Sequence, residues 1–195
     1  MTQMQTNPKE ITGSGTPQPF LLRTCGAEDA DALALVGAAT FLETYAGVLP
    51  KNAILAHCQK HHFAERYREW MAEPNVHIAI VEVHDAPVGY AVVCPVDASI
   101  GGQAGDMELR RIYLLHRFHR TGMGKALMDW ALEKTAALGH RRLVLGVYPG
   151  NTPAIRFYKR IGFQEVGERC FQVGELLFVD PVLAIEIGSE TRNTK

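Results

Sequence analysis

Residues 109–128 read LRRIYLLHRFHRTGMGKALM: a strand-like run, a glycine-spaced turn and the opening of a helix, without one acidic residue. Ile112–Leu115 have the continuous apolar character of a buried strand, residues 119–124 (HRTGMG) form the turn, and Lys125–Leu138 continue at helical spacing. A helix N-terminus leaves backbone N–H groups unpaired and carries partial positive charge, so it favours a phosphate or pyrophosphate. Gly122 and Gly124 would let the backbone approach such a group closely, and Arg110, Arg111, Arg117, Arg120 and Lys125 supply charge of the right sign. An anionic ligand is expected here; the plainer alternative is a tight turn that merely starts a surface helix. Two other phosphate sites do not fit the spelling. Gly124-Lys125 is followed by Ala126, where a P-loop needs Ser or Thr to hold magnesium. The dinucleotide fingerprint fails on spacing, and the next strand, Leu143–Val147, leads into Tyr148-Pro149-Gly150 with no acid at its end.

Further along, Asn151–Phe163 read NTPAIRFYKRIGF. Together the two stretches resemble the GCN5-related N-acetyltransferase (GNAT) superfamily. Its members carry a hydrophobic-Tyr-Val strand and Gln/Arg-x-x-Gly-x-Gly/Ala, then, after a helix and a strand, Asn-x-x-Ala-x-x-Phe-Tyr-x-x-x-Gly-Phe. Asn151, Ala154, Phe157, Tyr158, Gly162 and Phe163 match the second pattern. Gly122 and Gly124 match the first, with His119 at the usual Gln/Arg position. The resemblance extends from Phe20 to Ile187. It implies an α/β GNAT fold: a mixed, mostly antiparallel central sheet of about seven strands flanked by about four helices and splayed at the cofactor cleft.

The chain has 195 residues and a formal net charge of -1. That length suits one domain with a real core, and that charge gives no general attraction to nucleic acid or membrane. No apolar run approaches the roughly 20 residues that span a bilayer, and the N-terminus lacks the basic-then-apolar layout of a signal peptide. Cys25, Cys58, Cys94 and Cys170 stand singly, as reduced thiols do, so a cytoplasmic protein is expected. Residues 1–19 read as a flexible tail, 20–187 as one N-acetyltransferase domain and 188–195 as a second flexible tail.

Within the domain the order β-α-α-β-β-β-α-β-α-β-β is expected. Asp29 or Asp31 caps a helix to about Tyr45, with Leu33, Val36, Phe41 and Leu42 inward. A second helix spans Lys51 to Met71, with Phe63, Tyr67, Trp70 and Met71 on one face. Strands at Val76–Glu82 and Val88–Cys94 join at residues 84–87, and Met107–Leu115 is the strand before the glycine turn. The helix from Gly122 to Leu138 is closed by Gly139, and Asn151 caps a helix that Gly162 ends. Two strands, near Gln164–Val173 and Leu177–Ile187, complete the sheet.

The resemblance implies acetyl-CoA as co-substrate. The backbone of Ile112, Tyr113 and Leu114 would contact its pantetheine arm between splayed strands. His119, Arg120, Thr121, Gly122, Met123, Gly124 and Lys125 would hold its pyrophosphate. Unpaired N–H groups on a splayed strand are costly unless a ligand meets them, and the one on Leu114 could polarise the thioester carbonyl. Tyr158 is the expected general acid for the departing sulfur; the alternative is a core aromatic on an amphipathic helix. Asn151 either contacts the pantetheine or only caps its helix. An alkylammonium, with a pKa of about 10, must lose a proton before it attacks. Glu108 either removes it through water or is a surface carboxylate paired with Arg110 or Arg111. Glu43 and Tyr45, in FLETYAG, either face the acceptor or end a solvated helix.

His57 and His61, one turn apart, suggest a metal. Such a pair supplies only two of the ligands required and no partner set stands at matching spacing, so no metal is expected. Neither motif contains a cysteine, which favours direct transfer over an acyl-enzyme. FLETYAGVLP (41–50) and CFQVGELLFVDPVLAIEI (170–187) are similar to a bacterial subgroup that includes polyamine N-acetyltransferases. A polyamine would need several carboxylates around its channel, whereas Glu43, Glu108 and Asp180 are isolated in the sequence. An amino-acid amine, an antibiotic amine or a protein N-terminus stays open. The expected partner is a small-molecule amine acceptor, with no nucleic acid and no membrane; an exposed final strand could also pair with a second copy in a homodimer. The expected function is transfer of an acetyl group to a primary amine by direct attack in a ternary complex. The alternatives are a non-catalytic acyl-CoA sensor or regulatory domain and, more remotely, a P-loop nucleotide binder.

Overall fold

Alternating and β-branched runs become strands here, and stripes of apolar residues at a spacing of three and four become the helices that cover them. The computed structural model describes residues 19–97, 100–173 and 176–188, so the two expected tails lie outside it except for Pro19 and Gly188. In chain order the elements are β1 (Leu21–Thr24), α1 (Ala30–Tyr45), α2 (Lys51–His61), α3 (Ala64–Ala72), β2 (His77–Val83) and β3 (Ala86–Pro95). There follow β4 (Met107–Leu114), α4 (Met123–Ala137), β5 (Arg142–Gly146), α5 (Thr152–Ile161), β6 (Gln164–Val173) and β7 (Leu176–Glu186). The seven strands form one sheet in the order β1-β2-β3-β4-β5-β7-β6. Only the β4–β5 pair is parallel. The final strand β7 therefore lies between β5 and β6, paired on both sides over residues 182–184, and β1 and β6 are the edge strands. That corrects the expectation that the last strand could pair with a second copy.

The α1 stripe consists of Leu33, Val36, Gly37, Thr40, Phe41 and Tyr45, all buried at i, i+3 and i+4 spacing. Leu42, expected to face inward, lies off that stripe and is 52% exposed. Thr40 is tolerated inside because its Oγ1 donates to the Val36 carbonyl at 2.7 Å. Asp29 precedes α1, yet its side chain makes no cap bond. Its carboxylate instead accepts from both terminal nitrogens of Arg23, each at 2.7 Å, and from the Gly26 N–H.

The single helix expected over Lys51–Met71 is two, so five α-helices occur among the described residues and not four. The chain leaves helical geometry at His62 and Phe63. His62 is drawn inward, 7% exposed, with Nδ1 3.0 Å from the Tyr67 hydroxyl. Phe63 is left 39% exposed. In α3 the surface pairs Arg66–Glu69 and Arg68–Glu65 contribute at most about 1 kcal/mol each. Burial of Tyr67 and Trp70 contributes about 2 kcal/mol or more per side chain and decides where the helix sits.

β2 and β3 are joined by His84 and Asp85, with φ of 50° and 62°. This is the two-residue hairpin turn whose twist matches the strands. In β4, Val92 pairs with Arg111 but Val93 pairs with Leu109, so Arg110 is an extra residue, a β-bulge. It resets the alternation of the strand. Met107, Leu109, Ile112 and Leu114 all face the core beneath α4 and α5, while Tyr113 joins the cluster under α1 and α3. Arg110 and Arg111 both lie against Trp70 of α3.

Candidate active site

The glycine turn folds as its spelling requires. Gly122 precedes α4 with φ of 90°, a left-handed conformation that other residues adopt at a cost. Arg120 also has a positive φ, 66°. No side chain caps the start of α4, and the first intrahelical bond runs from the Ala126 N–H to the Gly122 carbonyl. The N–H groups of Met123, Gly124 and Lys125 thus point out of the helix end. Nothing lies within 4 Å of where a Gly122 side chain would begin, so this concavity is open. Thr121 is tied to the Phe118 carbonyl and Lys125 to Asp129. His119 Nε2 is 3.0 Å from the Leu114 carbonyl, which fastens the turn to the end of β4.

Beside the turn, β4 and β5 pair only at Met107–Leu143 and Glu108–Val144. Beyond those two positions the ladder stops, and the backbone of Ile112, Tyr113 and Leu114 on the β5 side is left open to a ligand. An acyl-CoA fits these residues: the splay offers amide partners to a pantetheine, and the bare helix end suits a pyrophosphate.

Tyr158 sits on α5, which begins at Asn151. The Asn151 Oδ1 accepts the Ala154 N–H at 3.2 Å, so the capping role is realised. Gly162, with φ of 116°, ends the helix. Tyr158 is 7% exposed, between the rings of Phe157 and Phe163. Its hydroxyl has no hydrogen-bond partner among the described residues. Burial, and then the nearby Tyr113, pushes its phenol well above the usual value, so it keeps its proton at neutral pH. Tyr113 is itself pushed up to about 12 by burial and by Tyr90, and feels Arg111, Arg169 and Asp180. Tyr45 is raised by burial and by Tyr113 and Asp180. Three phenols, on α1, β4 and α5, are thus held protonated and feel one another's charge.

Glu108 is not at the surface. It is 3% exposed, with Oε2 3.1 Å from Arg110 Nη2 and Oε1 3.7 Å from Arg169 Nη1. Arg169 Nε lies 3.6 Å from Asp180 Oδ2, the two residues being directly paired across β6 and β7. Acids isolated in the sequence are therefore brought together by an arginine. Asp180 is 2% exposed, its Oδ1 has no hydrogen-bond partner, and burial raises its pKa. The Arg169 guanidinium lies against Gly146 at the end of β5, where any side chain would collide with it. An aromatic wall closes this side: Phe41 on Tyr45 (4.5 Å), Tyr45 on Tyr148 (5.8 Å), and Tyr148 edge-on to Phe178 (5.4 Å). Glu43 is exposed at the end of α1, where its carboxylate accepts the His116 N–H at 2.9 Å.

Arg169, the Tyr113 side chain, Tyr148 and Phe178 were not singled out from sequence. The signal for Arg169 was a charged residue amid a strand that, counted back through the final hairpin, meets Asp180. Among the described residues no group of three or more His, Cys, Asp or Glu side chains is placed to hold a metal ion. His57 instead stacks on Phe41 at 3.9 Å.

The fold and the sequence have counterparts among known proteins. A solved PaiA N-acetyltransferase from Thermoplasma acidophilum, in complex with coenzyme A, shares the fold with a TM-score of 0.72 at 19% identity, over 86% of this chain and 99% of that one. An uncharacterized N-acetyltransferase of Mycobacterium tuberculosis is 36% identical over 147 residues, 75% of this chain and 90% of that protein. The spermine/spermidine N(1)-acetyltransferase of Bacillus subtilis is 34% identical over 76 residues, 38% of this chain and 49% of that one. Residues 32–163, which include all but the first two residues of α1, the bulged strand, the glycine turn and the Asn151–Phe163 motif, match the acetyltransferase (GNAT) family, and the chain belongs to it.

Proposed function

We propose that this protein transfers the acetyl group of acetyl-CoA to the primary amine of a small molecule (a polyamine, an amino acid or a drug-like amine) by direct attack in a ternary complex. The observation that carries this reading is the Tyr158 hydroxyl. It is nearly buried, protonated, unpartnered among the described residues, and on the motif helix beside the place where β4 and β5 part. When bound, acetyl-CoA supplies a thioester open to attack by an amine. The helix end at Gly122–Lys125, with Arg120 and Thr121, holds the pyrophosphate; His119 steadies that turn through Leu114. The backbone of Ile112, Tyr113 and Leu114 aligns the pantetheine arm, and the Leu114 N–H polarises the carbonyl. Tyr158 gives its proton to the departing sulfur. Asn151 orders the start of α5 and lies where it could meet the pantetheine.

Both Glu108 oxygens already face guanidiniums, so this carboxylate would take the amine proton through an intervening water. Tyr45 and the aromatic wall line the acceptor's entrance, and Glu43 anchors the loop after β4 beside it. No described helix is long and apolar enough to cross a membrane, and four free cysteines suit the cytoplasm, where we place the protein. The test is calorimetric titration with acetyl-CoA, followed by thiol release with polyamines, amino acids and aminoglycosides. Saturable binding and amine-dependent release are expected. Binding with only slow, amine-independent release would make the protein a sensor, and absence of binding would overturn the reading of the glycine turn.

A further inference from the structure

One charged side chain on the α1–α3 side of the sheet has no counter-ion beside it among the described residues. Glu108 and Asp180 are joined to Arg110 and Arg169 in one connected cluster of two acids and two arginines. Arg111 is left over. Among the described residues no carboxylate lies within ion-pair distance of it. Its partners are neutral: Nη1 donates to the Tyr67 hydroxyl at 2.9 Å and to the His61 carbonyl at 3.3 Å, and the guanidinium lies 4.6 Å from the centre of the Trp70 ring. The imidazoles around it supply no negative charge. Burial, with Arg111 itself contributing, lowers His57 to about 3, His61 to about 4 and His62 to about 2, so all three are neutral at pH 7.

A charge withdrawn from water without a counter-ion costs several kcal/mol, and proteins keep one where a ligand completes the pair. A guanidinium has five N–H donors in a planar fork that matches a carboxylate. The bonds from Arg111 to Tyr67 and His61 are both made by Nη1, the neutral Tyr90 phenol lies beside the guanidinium, and Arg111 is half-buried rather than sealed from solvent. Tyr113, two residues on and pointing to the same side of the bulged strand, stands in electrostatic reach of both Arg111 and Tyr158. A molecule lying along this side of β4 past Tyr113 would have Arg111 at one end and the acid proposed for transfer at the other.

We propose that the acceptor carries a carboxylate in addition to its reactive amine, and that Arg111 binds that carboxylate and sets the specificity of the cleft. This rests on the acetyltransferase reading above and narrows its substrate class to amino acids and related amino carboxylates. A polyamine would place further positive charge beside Arg111, which has no carboxylate within ion-pair distance among the described residues. The bulge at Arg110 is what delivers Arg111 to this side of β4, so the specificity residue and the cofactor-facing residues come from one short strand.

The experiment uses the full chain with acetyl-CoA and acceptors matched in pairs: the free amino acids, β-alanine and 4-aminobutyrate, each against its carboxamide, with spermidine alongside. At least one free acid is expected to exceed its amide by a hundredfold or more in kcat/KM, and spermidine to be poorer still. In Arg111→Lys that ratio is expected to shrink at least tenfold, through KM rather than kcat, because an ammonium lacks the fork. The wild-type comparison needs no variant, so a folding defect in Arg111→Lys leaves the proposal exposed to refutation. Amides or spermidine acetylated as well as the free acids would overturn it while leaving the acetyltransferase reading intact. A marked preference for succinyl-CoA over acetyl-CoA, lost in Arg111→Lys, would overturn it too, by assigning the arginine to the acyl chain. Acetyl-CoA binding with no acetylation of any amine would instead defeat the underlying reading.

Discussion

Beneath α4 and α5 the sheet contributes Val81, Val93, Leu109, Leu145 and Leu183 to an apolar core, into which α5 sends the Tyr158 phenol. Beneath α1, α2 and α3 the same sheet buries Glu108, Arg111, Arg169 and Asp180 among tyrosines and neutral histidines. The first side is built to present a fixed backbone to a ligand that does not vary. The second spends stability on charged groups that hydrophobic residues of similar size would replace at no loss to the fold. If these charges serve recognition, as proposed, the two sides should respond differently to substitution.

The largest effect is expected from Tyr158→Phe. It removes one oxygen from the apolar side and should lower kcat by about a hundredfold or more, with the acetyl-CoA affinity from calorimetry unchanged. An unaltered kcat would return Tyr158 to the role of a core aromatic. Arg169→Met, on the charged side, leaves Glu108 and Asp180 buried near each other without their bridge. It should cost about 3–5 kcal/mol in urea unfolding at constant m-value. A midpoint within error of the parent would mean that water screens this cluster.

The pH response is smaller and should also belong to the charged side. The folded protein holds His57, His61 and His62 neutral, with values of about 3, 4 and 2, so below pH 6.5 the unfolded chain binds more protons. Their contribution is fully present above pH 6.5 and is lost as the pH falls from there toward 3. Melting curves between pH 7.5 and 4 should decline by several degrees, and His62→Gln should flatten the decline. A slope that is the same in parent and variant would remove His62 from the account. The smallest effect is expected on the other side. Asn151→Ala deletes the cap of α5 and should cost about 1 kcal/mol, equally at pH 5 and pH 7.5.

The apolar side was largely legible in the sequence because its determinants are local. Gly122 takes a left-handed conformation and Asn151 accepts from the Ala154 N–H, each fixed by residues within a few positions. The order of strands along the chain was expected from the resemblance as well, but the place of β7 inside the sheet was not. The charged side was not legible, since its contacts span the chain: Arg169 reaches back to Glu108, and Arg111 reaches Tyr67 on a separate helix. The break at His62 was hidden for the same reason, because helical spacing continues through residues that the Tyr67 hydroxyl and the core pull out of line. Leu42 was misplaced because a stripe drawn through large apolar residues passed over Gly37 and Thr40, the small residues that lie on the true one.

A strand is read two residues at a time, and the extra residue at Arg110 is a frame shift in that reading. Before it, odd-numbered side chains of β4 enter the core below α4; after it, even-numbered ones do. The stretch LRRIYL thereby sends apolar residues one way and arginine and tyrosine the other, although no uninterrupted alternation would sort it so. The number of residues between Leu109 and Ile112 matters as much as their identity. Loss of one would turn Tyr113 into the core and set Ile112 where the cleft needs a phenol.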